Sequence, residues 1–311
     1  MQPKFSFSAP LGAAALFAAV LAADSLFESL PDRQAATAAV TVVTLEPIAI
    51  SAAELAPLAL VGAWRLTSSE PRVGGISGLA VNDDELVAIT DAGVVLRFPK
   101  SLGRQMQTQV TDLPSGPGDE RCKANRDSEA ILRDDRGWWI AFENADELWL
   151  FDARFKRTLR RLIVPGGLGL NTGIEGLAAS PRGILAFPES GGSTLLWGGG
   201  RWDQLRLDRR TPISDAVQVD GGAVLLIERR LTPTGFRNAL ALLRVDGAVL
   251  RTVWRKRLPV GWRDNVEAVA AEPIAAGGYR LWMMSDDNFH PRLRTILLVV
   301  DVPGAVLPKR P

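Results

Sequence analysis

Ile174-Glu175-Gly176-Leu177 is one of five versions of a single phrase, in which a small or acidic residue precedes an apolar pair at the start of a strand. The others are Ser77-Gly78-Leu79-Ala80, Ser128-Glu129-Ala130-Ile131, Ser214-Asp215-Ala216-Val217 and Val266-Glu267-Ala268-Val269. Anchored on the second residue, the intervals are 51, 46, 40 and 52 residues. A repeat of that size, filled with short apolar strands and turn residues, marks a radial β-architecture rather than an α/β domain. Each unit carries three or four strands broken by turn formers such as Asn82-Asp83-Asp84, Asp134-Asp135-Arg136-Gly137 and Asp220-Gly221-Gly222. No segment has the length and 3.6-residue period of a helix that covers a parallel sheet.

The fold expected is therefore all-β: a β-propeller of five blades over 56–311. The last repeat runs out after three strands, and Leu58 to Leu66 reads as a strand without a blade. Pairing that N-terminal strand into the final blade closes the ring and removes two exposed edges. A sixth blade would have to come from 99–127, which lacks the phrase.

Ahead of the repeats, Lys4 precedes an apolar stretch from about Pro10 to Ala23, too short for comfortable spanning and right for a signal-peptide core. Residues 1–23 are read as a signal peptide, with an uncleaved anchor as the alternative, and 24–55 as a linker. The expected location is periplasmic or secreted, with no stable membrane span after processing. A formal net charge of +1 gives no global field toward nucleic acid. The chain has one cysteine, Cys122, and one histidine, His290, which excludes an internal disulfide and any site needing two imidazoles. A monomer with a small anionic ligand is expected.

Four of the five anchors are acids. In a propeller the first strand of each blade lines the central channel, so Glu129, Glu175, Asp215 and Glu267 are expected to form a ring. Carboxylates roughly 6 Å apart repel by about 3 kcal/mol per pair at an effective dielectric of 20, so the cluster needs protons or a cation. Oxygen donors without His or Cys favour Ca²⁺, and Ser77 is a candidate to complete its shell. The alternative is that these acids point outward as caps. A second series follows 13 to 14 residues after four anchors: Asp91, Glu143, Glu189 and Glu228, with Asp286 and Asp287 in the last repeat. Two antiparallel strands return the chain to its starting face, which places both series at one acidic mouth. Candidate proton-handling groups are His290, Asp286, Asp287 and Glu189. Candidate anion-binding cations are Arg229, Arg230, Arg126 and Arg292, with salt bridging across blades as the competing reading. A serine esterase is poorly supported, because Gly75-Ile76-Ser77-Gly78-Leu79 misses the second glycine of a nucleophile elbow. The tryptophans are expected to pack between blades rather than to stack on sugars.

Val73 to Ala80 with Thr90-Asp91, Asp127-Ser128-Glu129 with Phe142-Glu143, Asn171 to Leu177 with Glu189, Leu226 to Arg230, Asp264 to Glu267 and Ser285 to Phe289 occur in one order. In that order and spacing they resemble the family described as having esterase-like activity of phytase. Glu147 departs from the pattern, where a basic residue is expected. The resemblance implies an exported propeller and hydrolysis of an ester or phosphoester. Three readings stay open at this point: a Ca²⁺-dependent hydrolase, a non-catalytic binding propeller with a structural ion, and a metal-dependent lactonase.

Overall fold

The structure, a computed structural model, describes residues 37–120, 122–166, 173–219 and 222–307. The expected signal peptide, 1–23, lies outside the described residues. Of the twenty-one strands among the described residues, two are N-terminal and nineteen follow in five antiparallel units. Strands β1 (Ala39–Pro47) and β2 (Ala59–Ser68) come first. Blade one is β3 (Ile76–Asn82), β4 (Glu85–Thr90), β5 (Val94–Pro99) and β6 (Gln105–Asp112). Blade two is β7 (Ser128–Arg133), β8 (Trp138–Phe142), β9 (Glu147–Phe151) and β10 (Thr158–Ile163). Blade three is β11 (Ile174–Ser180), β12 (Gly183–Pro188), β13 (Ser193–Gly198) and β14 (Arg201–Leu207). Blade four is β15 (Ile213–Gln218), β16 (Val224–Thr232), β17 (Gly235–Asp246) and β18 (Val249–Arg257). Blade five is β19 (Asn265–Pro273), β20 (Gly278–Asp286) and β21 (Ile296–Pro303), completed by β2.

Ring closure is the one expected: β2 pairs antiparallel with β21, Trp64 opposite Leu297. The segment read as a linker holds more than that. Its residues Ala39–Pro47 form β1, which pairs with β2 on one side and with β6 on the other, so blades five and one share a nine-stranded sheet. Val43 and Leu45 alternate inward and are fully buried, which is why the stretch holds as a strand. The segment 99–127 supplies β6 to blade one and no further blade.

Period-two alternation sends neighbouring side chains to opposite faces of a blade, and each face meets the next blade. Trp139 and Ala141 pack toward blade three, while Trp138, Ile140 and Phe142 pack toward blade one. Five apolar clusters result, one in each gap between blades. Trp138, Trp139, Trp149 and Trp282 lie in these gaps as expected. Tight turns join the strands. Gly183, at φ +137°, sits where a Cβ would come within 1.9 Å of the Trp197 carbonyl oxygen, so only glycine fits. Among the described residues no helix is long and apolar enough to cross a membrane.

Candidate functional site: an acidic channel mouth

Every blade's innermost strand carries a β-bulge at the same place. The pairing skips Ser77, Glu129, Glu175, Ser214 and Glu267 in turn. A bulge leaves its extra residue unpaired and re-aims its side chain. The structural ring is thus three glutamates and two serines, shifted by one residue from the sequence alignment at Gly78 and Asp215.

The residue after each bulge faces the backbone of the next blade. A Cβ at Gly78 would lie 3.1 Å from the Ile131 amide nitrogen, and one at Gly176 would lie 2.8 Å from that of Ala216. Asp215 occupies this position in blade four. Its Oδ2 accepts from the Val269 amide at 2.6 Å and its Oδ1 from Ala216 at 2.7 Å. Oδ2 thereby ties blade five to blade four, while Oδ1 is held by the next amide of its own strand. Ser77 is likewise engaged, donating to the carbonyls of Ser128 and Ile89, and Ser214 donates to Val266 at 3.0 Å.

The second series also shifts by one residue in blade four. Where the second strand ends, the amides of Asp91, Glu143, Glu189 and Arg229 donate to the carbonyls of Gly75, Asp127, Gly173 and Pro212. Asp286, opposite Asn265, completes the set. Arg229 therefore takes the place expected of Glu228. Its Nη2 lies 2.9 Å from Glu189 Oε1, and its Nη1 makes a short ion pair with Glu267 and a 3.4 Å contact with Asn265. Glu228 turns away to Arg255 at 2.5 Å and Thr211 at 3.1 Å.

The carboxylates gathered here are Asp91, Asp127, Glu129, Glu143, Glu175, Glu189, Glu267 and Asp286. Ion pairs within the group come from Arg229 and from Lys123, 2.9 Å from Asp91. The tightest subset is Asp127, Glu129 and Glu143, with one oxygen of each within 4.8 Å of the others. Asp127 hydrogen-bonds to both Glu129 and Glu143, an arrangement of carboxylates that requires shared protons. Asp127 precedes the Glu129 bulge by two residues and so shares its face. That spacing was the signal for it in the sequence, where it went unassigned.

Burial is the main cause of the titration shifts, followed by like charge. It raises Glu129 well above the ordinary range, reinforced by Asp127 and Glu175. Glu143 is pushed up to about 8 by burial and then by Asp127, and Asp91 to about 6 by burial against the pull of Lys123. Glu175 and Asp286 are raised in the same way. Arg229 is raised too, since Glu267, Glu175 and Glu189 outweigh the effect of its own burial.

A pH dependence follows. Glu143 keeps its proton in the folded chain to about pH 8 but loses it near 4.5 when unfolded, so the folded state binds more protons between those values. Stability then falls as pH rises. At about 1.4 kcal/mol for each pH unit over which one proton is retained, the loss between pH 5 and 8 is a few kcal/mol. Resin-chelated protein should melt several degrees lower at pH 8 than at pH 5. A melting temperature flat or rising over that range would contradict the shared-proton cluster.

The remaining sequence-derived candidates divide. Asp286 joins the cluster, its Oδ1 accepting from the Asn288 amide at 2.6 Å. Asp287 instead organises the loop: it accepts from the amides of Gly75 and Phe289 at 2.9 and 3.0 Å and from Thr295 Oγ1 at 3.0 Å. His290 Nδ1 accepts from the Arg292 amide at 3.1 Å in the turn that follows Asp287. Arg126 is buried against Gly93 and Gly116 beneath the loop after blade one. Arg230 and Arg292 are exposed. Glu147 accepts from Trp149 Nε1 at 2.6 Å, a structural use of the residue that departs from the family pattern.

With this geometry in place, comparison with known proteins is informative. The model of a phytase-like family, described as esterase-like activity of phytase, matches residues 71–289. The chain belongs to this family. The match takes in all the carboxylates of the mouth together with Arg229 and Lys123. None of the curated proteins matches the chain in sequence. Among solved structures it is similar to the Myxococcus xanthus glutaminyl cyclase, with a TM-score of 0.52 at 11% identity over 79% of this chain and 97% of that one. It is also similar to the PQQ-bound aldose sugar dehydrogenase of Streptomyces coelicolor, with a TM-score of 0.43 at 14% identity over 86% and 98%. At such identities the likeness to the cyclase concerns the fold alone.

Proposed function

We propose that this chain is an exported, Ca²⁺-dependent hydrolase that cleaves a phosphoester or another ester at the acidic mouth, as a monomer. The observation that carries the reading is the trio Asp127, Glu129 and Glu143, whose oxygens converge within 4.8 Å. Three carboxylates so placed exchange their shared protons for a divalent cation, and a donor set of hard oxygens without His or Cys suits Ca²⁺. Asp127, Glu129 and Glu143 would hold the ion, with Glu175 beside them. When bound, the ion polarises a substrate oxygen and offsets developing negative charge. Arg229 is held by Glu189 and Glu267 and has donors to spare for an anion, since a guanidinium carries five. The apolar gaps between blades keep the surrounding acids fixed, so the mouth is preorganised rather than assembled on binding.

Removing calcium from the purified mature chain tests this directly. Hydrolysis of a panel of phosphate monoesters, carboxylic esters and lactones should fall at least about tenfold on chelation and return on adding calcium. Turnover of lactones alone would favour the lactonase reading. Calcium binding that raises the melting temperature without any turnover would identify a binding propeller with a structural ion. No calcium binding at all would overturn the proposal.

A further inference from the structure

Blades three and four touch at their outer rims through a short parallel pairing of β14 with β18, Arg206 opposite Val249 and Leu207 opposite Leu250. Beside that joint the blades part around a cavity of about 620 Å³. Its apolar lining includes Leu185, Leu196, Leu205 and Ala223, all buried. Three arginines, Arg182, Arg244 and Arg251, line the same cavity against one acid, Asp246. The site is at the opposite end of the strands from the acidic mouth: the Ser180-Pro181-Arg182 turn follows the far end of β11, whose near end carries Glu175.

The charges here are unbalanced. Arg244 and Arg251 are directly opposite in the β17–β18 register, which puts two guanidinium-bearing side chains on one face of the sheet. Like charges so placed destabilise an antiparallel pair. Arg251 pairs with Asp246 at 2.7 Å, but both are more than 60% exposed, so the pair is weak. Arg182 donates to the neutral Gly247 carbonyl at 3.3 Å and makes no ion pair with the described residues. The half-buried Arg244 side chain makes no hydrogen bond or ion pair with the described residues. An apolar cavity with surplus fixed cations at its edge is complementary to a ligand with an apolar tail and an anionic head.

We propose that this cavity binds a single-chain carboxylate amphiphile, with its tail against Leu185, Leu196 and Leu205 and its head beside Arg244 and Arg251. The site is independent of the chemistry at the acidic mouth. The test is calorimetric titration of the full, calcium-free chain with decanoate below its micelle threshold. One saturable site is expected. Octanoate should bind more weakly by about fifteenfold, at roughly fourfold per methylene. Decanol, and decanoate with Arg244→Ala, should each bind at least about tenfold more weakly. Arg251→Gln, at an exposed position that leaves folding intact, should weaken decanoate several-fold. Unchanged calcium binding in both variants keeps the result separate from the mouth. The proposal is overturned if decanoate does not bind, if decanol binds equally well, or if both variants keep wild-type affinity. Capture by anionic vesicles without binding of free decanoate overturns it as well.

Discussion

Glu129→Gln should weaken calcium binding by at least about a hundredfold, since an ionised ligand in a three-carboxylate set is replaced by a neutral one. Glu129 is the bulge residue of blade two, and its neighbours in the trio are Asp127 and Glu143. The same substitution should act on stability in opposite directions according to the metal. In chelated protein at pH 8 it removes a buried acid whose charge is opposed by burial, Asp127 and Glu175, so the variant should melt higher than the wild type. In saturating calcium the wild type gains binding free energy that the variant lacks, and the order reverses. Asp215→Asn is the contrasting variant. Both oxygens of Asp215 are committed to the Ala216 and Val269 amides, so calcium affinity should stay within about threefold while the melting temperature falls in either condition. Calorimetric titration of the three proteins decides the matter. A calcium affinity unchanged in Glu129→Gln, or lost in Asp215→Asn, would show that the bulge ring is not the ligand set.

Arg229→Ala should destabilise the chain by about 3 to 5 kcal/mol, because truncating one member of a buried ion pair leaves the other charge uncompensated. Arg229 faces Glu189 at 2.9 Å and Glu267 at a shorter distance, and the fields of Glu175 and Asp286 converge on it. For a chain of this size the expected fall in melting temperature is on the order of 10 °C. Arg229→Lys keeps the charge but not the forked geometry that reaches Glu189 and Glu267 together, so it should recover only part of the loss. Arg201→Ala supplies the comparison. Arg201 pairs with Asp203 at 3.4 Å with both side chains exposed, and its removal should cost about 1 kcal/mol or less. If Arg229→Ala melts within 2 °C of the wild type, the guanidinium is not what neutralises the mouth.

Much of the architecture is local information. The recurring phrase, the Asp- and Gly-rich turns and the period-two alternation each concern residues a few positions apart, so a linear reading finds the blades. The unmatched strand before the first repeat and the short last repeat together imply ring closure, which β2 and β21 provide. The acidic mouth is legible for the same reason: two strands up and back return the chain to one face, and Glu129, Glu175, Glu267, Glu143, Glu189 and Asp286 meet there.

Tertiary structure decided which residue at each position faces the channel. A β-bulge moves a side chain from one face to the other by a single residue, and whether it falls on Ser77 or Gly78, or on Ser214 or Asp215, depends on hydrogen bonds to the neighbouring blade. Those partners are about fifty residues away and leave no local mark. The same one-residue shift exchanged Glu228 for Arg229, which turned an expected acid into the cation that balances the others. Strand β1 was hidden for a related reason, since Val43 and Leu45 become core positions only when β2 and β6 lie on either side. From its sequence alone this protein is determined to be a five-bladed propeller with acids gathered at one end. The division of those acids between a candidate ligand set and a structural frame arises from packing between blades, because the amide that Asp215 accepts across the gap belongs to Val269 of the next blade.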